Sequence, residues 1–134
     1  MQHLLQPVPF AQFVTIAFLA ILFLQSGLDK VIDFTGNHSW LQGHFAKSPL
    51  RGQVKFMLIS ITITEVLTGI LALAGAAQLA LTQDKTFALY AAQLAAVNVL
   101  LLFFGQRMAK EYAGAAVLVS YFVLSVGAVV LLNF

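Results

Sequence analysis

Any chemistry in this sequence turns first on Glu65. It is the only charged residue in the run from Phe56 to Gln83. A helix that starts near Gln53 places it about ten residues in, roughly 15 Å along the axis and close to mid-membrane. A charged side chain at that depth costs roughly 2.5 to 3.5 kcal/mol on insertion scales. Two roles could justify the cost: a functional carboxyl facing the inside of a helix bundle, or a structural one that hydrogen-bonds a neighbouring helix and fixes its register. Lys30 closes the preceding apolar run on the membrane side from which the Glu65 helix starts, and its long stem can reach inward. Gln93 and Asn98 can donate through their amides, and Gln25, Thr62, Thr64, Thr68, Ser120 and Tyr121 are further polar groups at membrane depth.

The other chemistry-bearing residues lead less far. Asp29 and Asp33 are four apart and share a helix face, but no polar substrate cleft accompanies them to make a paired-carboxylate hydrolase. Lys30 and Asp33 form an i, i+3 pair worth about 0.2 to 0.5 kcal/mol when solvated. His38 and His44 are six apart without Cys or a compact carboxylate set, so no metal centre is expected. His44 remains a candidate donor to a quinone or lipid headgroup. Trp40, Leu41, His44 and Phe45 recur at helical spacing, which predicts a short amphipathic helix at the interface, with Trp40 at headgroup level and Pro49 ending it.

The elements that must position these residues follow from where charges are missing. Of 134 residues, 60% are hydrophobic and 9% charged, with mean hydropathy +0.92. A soluble domain carries about 25% charged residues, so the charges here are too few to cover a water-exposed surface. The apolar and aromatic content, with 12 Phe, excludes disorder. No clustered basic patch offers a nucleic-acid surface. The absence of Cys excludes disulfides, thiolate metal sites and dithiol redox chemistry, and no covalently bound cofactor is expected.

The charges are Asp29, Lys30, Asp33, Lys47, Arg51, Lys55, Glu65, Asp84, Lys85, Arg107, Lys110 and Glu111. Between them lie four apolar stretches, each meeting the requirement of about 20 residues for a bilayer-spanning helix. The expected spans are 9–32, 53–80, 85–104 and 112–132, in one transmembrane domain covering 1–134. The runs do not alternate apolar and polar residues as barrel strands do. The first run has no positively charged start and no small-x-small cleavage site, so it reads as a retained span. Short links imply an all-α, up-down-up-down four-helix bundle, with the interfacial helix in the first loop. Lys30, Lys47, Arg51, Lys55, Arg107 and Lys110 flank one side and Lys85 alone the other, which puts the first and third loops in the cytoplasm and both termini outside.

Helices in lipid associate through small residues and interhelical hydrogen bonds. Thr62, Glu65, Gly69, Ala72 and Ala76 make such a stripe at alternating spacings of three and four. Ala88, Ala91, Ala92, Ala95 and Asn98 make another; Ala20 and Gly27 serve the first helix, and Ala116, Ser120 and Gly127 the fourth.

Several short motifs together resemble the DoxX-like family of small bacterial four-helix membrane proteins. These are Gly27-Leu28-Asp29-Lys30 as a G-x-x-K signature, Trp40-Leu41, Glu65-Val66-Leu67-Thr68-Gly69 followed by Gly75, and Lys110-Glu111-Tyr112-Ala113-Gly114 at the start of the fourth span. The likeness covers nearly the whole chain. It implies the four-span architecture, a place in the bacterial inner membrane, and Lys30 and Glu65 as matched positions. Some members are similar to a subunit of a thiosulfate:quinone oxidoreductase, others are linked to oxidative-stress complexes, and many have no assigned activity.

Three functions follow as expectations. One is an accessory subunit of a redox or quinone-linked complex, with a polar pocket drawn from Glu65, Lys30, Thr62, Gln93, Asn98, Tyr121, His44 and Trp40, and a quinone as its ligand. The second is a non-enzymatic scaffold that binds other membrane subunits or further copies of itself. The third is a carrier of a small lipophile or ion that titrates Glu65.

Overall fold

The computed structural model describes residues 2–46, 51–110 and 112–134; the side chains of His44 and Arg51 are outside the description. Lys47, Pro49 and Glu111, which figure in the sequence reading, also lie outside it. The helices are α1 (Pro7–Ile32), α2 (Phe34–His44), α3 (Val54–Leu81), α4 (Thr86–Met108) and α5 (Tyr112–Leu131), with 3-10 turns at Gln2–Leu5 and Arg51–Gln53. Four of the helices are long and apolar enough to cross a membrane. The chain is a multi-pass membrane protein, and its outward apolar side chains, such as Phe18, Ile63, Leu73, Leu101 and Val123, face lipid.

Pro7 opens α1, where a missing N–H costs nothing. The 26 residues of α1 and the 28 of α3 reach about 39 and 42 Å at 1.5 Å per residue. Both exceed the roughly 30 Å hydrocarbon layer, so their ends reach headgroup level. The four long helices pack antiparallel in chain order, with α3 between α1 and α4, and α4 between α3 and α5. Gln12 near the start of α1 donates through Nε2 to Leu131 O at the end of α5, 2.9 Å away, which joins first span to last.

The seams explain the small residues. A Cβ on Gly27 would stand 2.7 Å from Val66 Cγ2, and one on Gly69 would stand 2.8 Å from the Leu24 backbone nitrogen, so α1 and α3 touch backbone to backbone at both levels. On the other side of α3, a Cβ on Gly75 would meet Ala88 Cα and N at 2.6 Å. Ala88, Ala91, Ala92 and Ala95 of α4 and Ala72 of α3 are fully buried here. Ile16, Leu19 and Phe23 of α1 supply the bulk that fills the centre. Close approach of small residues substitutes for the hydrophobic drive that lipid does not provide.

Three expected packing residues, Ala116, Ser120 and Gly127, lie on the exposed side of α5. Ser120 is exposed and its hydroxyl donates back to Val117 O at 3.0 Å. Gly127 is also exposed, with open space where a side chain would be. The α5 surface that packs on the bundle is instead carried by Ala115, Ser125 and Ala128. Their period sets the inward face one helical step away from the stripe chosen by small size alone.

The two tight links turn without glycine. Gln83 (φ 61°) and Lys110 (φ 59°) occupy the left-handed position just past the ends of α3 and α4, where glycine is the usual residue. In the first link, Asp84 Oδ1 accepts from Thr86 N at 2.9 Å and Thr86 Oγ1 at 2.7 Å. The Thr86 hydroxyl is the main cause holding the Asp84 carboxyl below its ordinary range, and the backbone N–H is the second. A depressed carboxyl contributes stability above its unfolded pKa and loses it as pH falls through the folded one. Asp84→Ala should therefore lower the thermal midpoint at neutral pH, and the gap to wild type should close below about pH 4, as followed by circular dichroism.

Candidate functional site: a buried ion pair beside a capped cavity

Glu65 lies in the middle of α3 on the face turned to α1 and is 1% exposed. Its Oε2 accepts two bonds from α1. Ser26 Oγ donates at 2.6 Å and Lys30 Nζ at 3.1 Å. Lys30 Nζ also donates to Ser26 Oγ at 2.9 Å, which closes a three-membered ring of contacts. Ser26 and Lys30 are one helical turn apart, so α1 presents both to the same point on α3. The direct ion pair spans the axial gap between Lys30 and Glu65 without an intervening group.

Charge and hydrogen bonds converge on one carboxylate oxygen. The other, Glu65 Oε1, is buried with no partner among the described residues, as is Asn98 Oδ1. Asn98 on α4 donates through Nδ2 to Thr68 Oγ1 at 2.6 Å and to Thr64 O at 3.2 Å. Thr68 Oγ1 in turn donates to Thr64 O at 2.6 Å. These bonds lock α4 to α3 one turn from the ion pair. Asn98 therefore serves the seam, and a buried polar network across three helices surrounds the level of Glu65.

Lys30, 19% exposed, has a second surface. It forms part of the wall of a cavity of about 260 Å³ covered by α2. Asn37, Trp40 and Leu41 come from α2 and Phe45 from the residue that caps it; Met57, Leu58 and Ile61 from α3; Leu101, Leu102, Gly105 and Gln106 from α4. The wall is mostly apolar with a few polar groups, the usual composition of a small-molecule site. Phe45 is buried, and its ring tip lies 3.7 Å from where a Cβ on Gly105 would be, so glycine there makes room for it. Among the Lys30 N–H groups, the first two point at Ser26 and Glu65. The third donates to Ser26 O at a long 3.5 Å, the weakest of the three contacts and the one most easily exchanged for a cavity occupant.

Several expected site residues lie apart from this arrangement. Gln93 is exposed on the outer face of α4. Thr62 is buried, but its hydroxyl donates to Leu58 O of its own helix at 2.6 Å. Tyr121 packs against the apolar core from α5 and is not among the cavity-lining residues. Trp40 does line the cavity, while the His44 side chain is outside the described residues. Ser26, which the sequence reading passed over, is the residue that joins the pair. Its i, i+4 relation to Lys30 was the available signal.

Comparison with known proteins finds no matching protein family, no matching curated protein and no matching solved structure.

Proposed function

We propose that this protein binds a small lipophile with a hydrogen-bond-accepting oxygen, of the quinone class, in the cavity beneath α2. It does so as an accessory subunit of a redox-linked complex in the bacterial inner membrane, with both termini outside. The observation that carries the reading is the double role of Lys30, which pairs with the buried Glu65 and also lines an otherwise mostly apolar cavity. A quinone carbonyl matches the Lys30 ammonium, taking the place of the long contact to Ser26 O, and its ring matches the aliphatic and aromatic walls. The resemblance of Gly27–Lys30 and Glu65–Gly69 to the DoxX-like signatures supports the same choice of residues. Carriage of an ion through the bundle fits less well, because Ile16, Leu19, Phe23, Ala72, Ala76, Ala91 and Ala95 fill the space between the Glu65 level and the far end.

A short-tailed ubiquinone analogue added to the detergent-solubilised protein should raise its thermal midpoint. Leu102→Trp, which fills the cavity from α4, should remove the response while the helical circular dichroism stays intact. The same midpoint with and without quinone in the wild type would overturn the proposal, as would an undiminished response in Leu102→Trp.

A further inference from the structure

We infer that the opposite end of the bundle holds a second binding site, for a phosphate ester whose other arm carries hydrogen-bond donors. The phosphoethanolamine group is the chemistry that fits. The site is a cavity of about 370 Å³ where the Gln2–Leu5 turn, the start of α1, the end of α3 and the link before α4 meet, with His3, Gln6, Gln12, Gln83 and Lys85 as polar lining. It is independent of the Lys30 cavity. From Gln12 to Ser26 along α1 is about 21 Å at 1.5 Å per residue, and the apolar core occupies that interval.

Two of its hydrogen-bonding groups have roles fixed by what they touch. Gln12 is 3% exposed and its Nε2 lies 2.9 Å from Leu131 O. A carbonyl can only accept, so the amide orientation is settled and Gln12 Oε1 is the atom left without a partner among the described residues. His3 Nε2 lies 2.6 Å from Leu79 O. The same rule puts the ring proton on Nε2 and makes Nδ1 of the neutral imidazole an acceptor. Lys85 supplies the complementary charge. Its ammonium makes no hydrogen bond or ion pair among the described residues, and its neighbour Asp84 is engaged with Thr86.

A wall with the Gln12 acceptor, a second acceptor at His3 when its imidazole is neutral, and one cation asks for a ligand with N–H or O–H donors and an anion. In phosphoethanolamine the phosphate meets Lys85, and the ammonium donates to Gln12 Oε1 and His3 Nδ1. The Gln6 and Gln83 amides can rotate to serve either part. A phosphocholine group has the same charges but no N–H, so it would cover the Gln12 acceptor without supplying a donor to it, a cost that discriminates between the two. The cavity lies at the helix ends, the depth of lipid headgroups, where basic pockets between spans recognise them. Exposed Leu5, Val8 and Leu81 around it offer surface to acyl chains.

The test is thermal unfolding of the detergent-solubilised protein with phosphatidylethanolamine, with phosphatidylcholine of the same chains, and with soluble glycerophosphoethanolamine. Phosphatidylethanolamine should raise the midpoint by about 5 °C at saturation, and phosphatidylcholine should not. Lys85→Gln, a change at the membrane surface that leaves the seams untouched, should lose most of the response, and Gln12→Leu all of it. An equal shift from glycerophosphoethanolamine would support the site with a soluble ester as its source; no shift from it would support the lipid. Equal shifts from the two lipids, no shift from any of the three compounds, or a full response in Lys85→Gln would overturn the inference.

Discussion

Lys30→Met is expected to lower the unfolding free energy by about 3 kcal/mol, the lower end of the cost of stranding one partner of a buried ion pair. The reason is positional. Glu65 is 1% exposed in mid-span, so loss of the ammonium leaves its carboxyl with Ser26 as its only hydrogen-bonding neighbour among the described residues, and the cost falls on the stranded charge or on the proton it takes up instead. The reverse change should be milder. In Glu65→Leu the remaining Lys30 sits two residues before the end of α1 and can swing its ammonium to the membrane surface, for a loss of about 1 kcal/mol. The double variant should lie within about 1 kcal/mol of wild type, because a well-packed apolar pair commonly replaces a buried ionic one at little cost. Chemical or thermal unfolding in detergent, analysed as a double-mutant cycle, measures all three. Equal losses in the two single variants would contradict the placement of Lys30 near a surface and of Glu65 deep inside.

Gly75→Ala is expected to cost about 1 to 3 kcal/mol, as overpacking does in a filled interior. Its new methyl would meet the Ala88 backbone rather than a movable side-chain end. Relief requires α3 and α4 to separate, which loosens the ladder of buried alanines and the Asn98 contacts with Thr64 and Thr68. Gly127→Ala is the matched control. Open space surrounds that position, so the change should be neutral or stabilise by up to about 1 kcal/mol through lower backbone entropy in the unfolded chain. Comparable destabilisation by the two substitutions would mean that the α3–α4 seam is not where the structure places it.

The four spans were legible because charge is so sparse that its positions alone bracket each helix. Glu65 was legible for the same reason, as a lone carboxylate in an apolar run. The small-residue stripe on α3 was readable too, since Gly69, Ala72 and Ala76 share its period with Glu65. On α5 the same reasoning failed at Ser120 and Gly127. An outer helix packed mainly against a single neighbour has a narrow inward face, and small residues on its outward side meet no clash that would reveal them. Gln93 is exposed because an amide gives no direction by itself, and the inward period of α4 runs through Ala88, Ala91, Ala92, Ala95 and Asn98. Ser26 and Gln12 were missed because a single polar residue in a span carries no mark of its partner. Their partners, Glu65 and Leu131, are 39 and 119 residues away. The cavity beneath α2 depends on how an 11-residue helix packs against α1 and α3, which no local spacing encodes.

The most direct test of the account is the infrared spectrum of the protein in lipid bilayers at neutral pH, as the difference between wild type and Glu65→Gln. An ion-paired Glu65 should give an ionised carboxylate band in the wild type that is lost in Glu65→Gln, and Lys30→Met should convert that band into a protonated carboxyl stretch. A protonated carboxyl already present in the wild type, and unmoved by Lys30→Met, would contradict it.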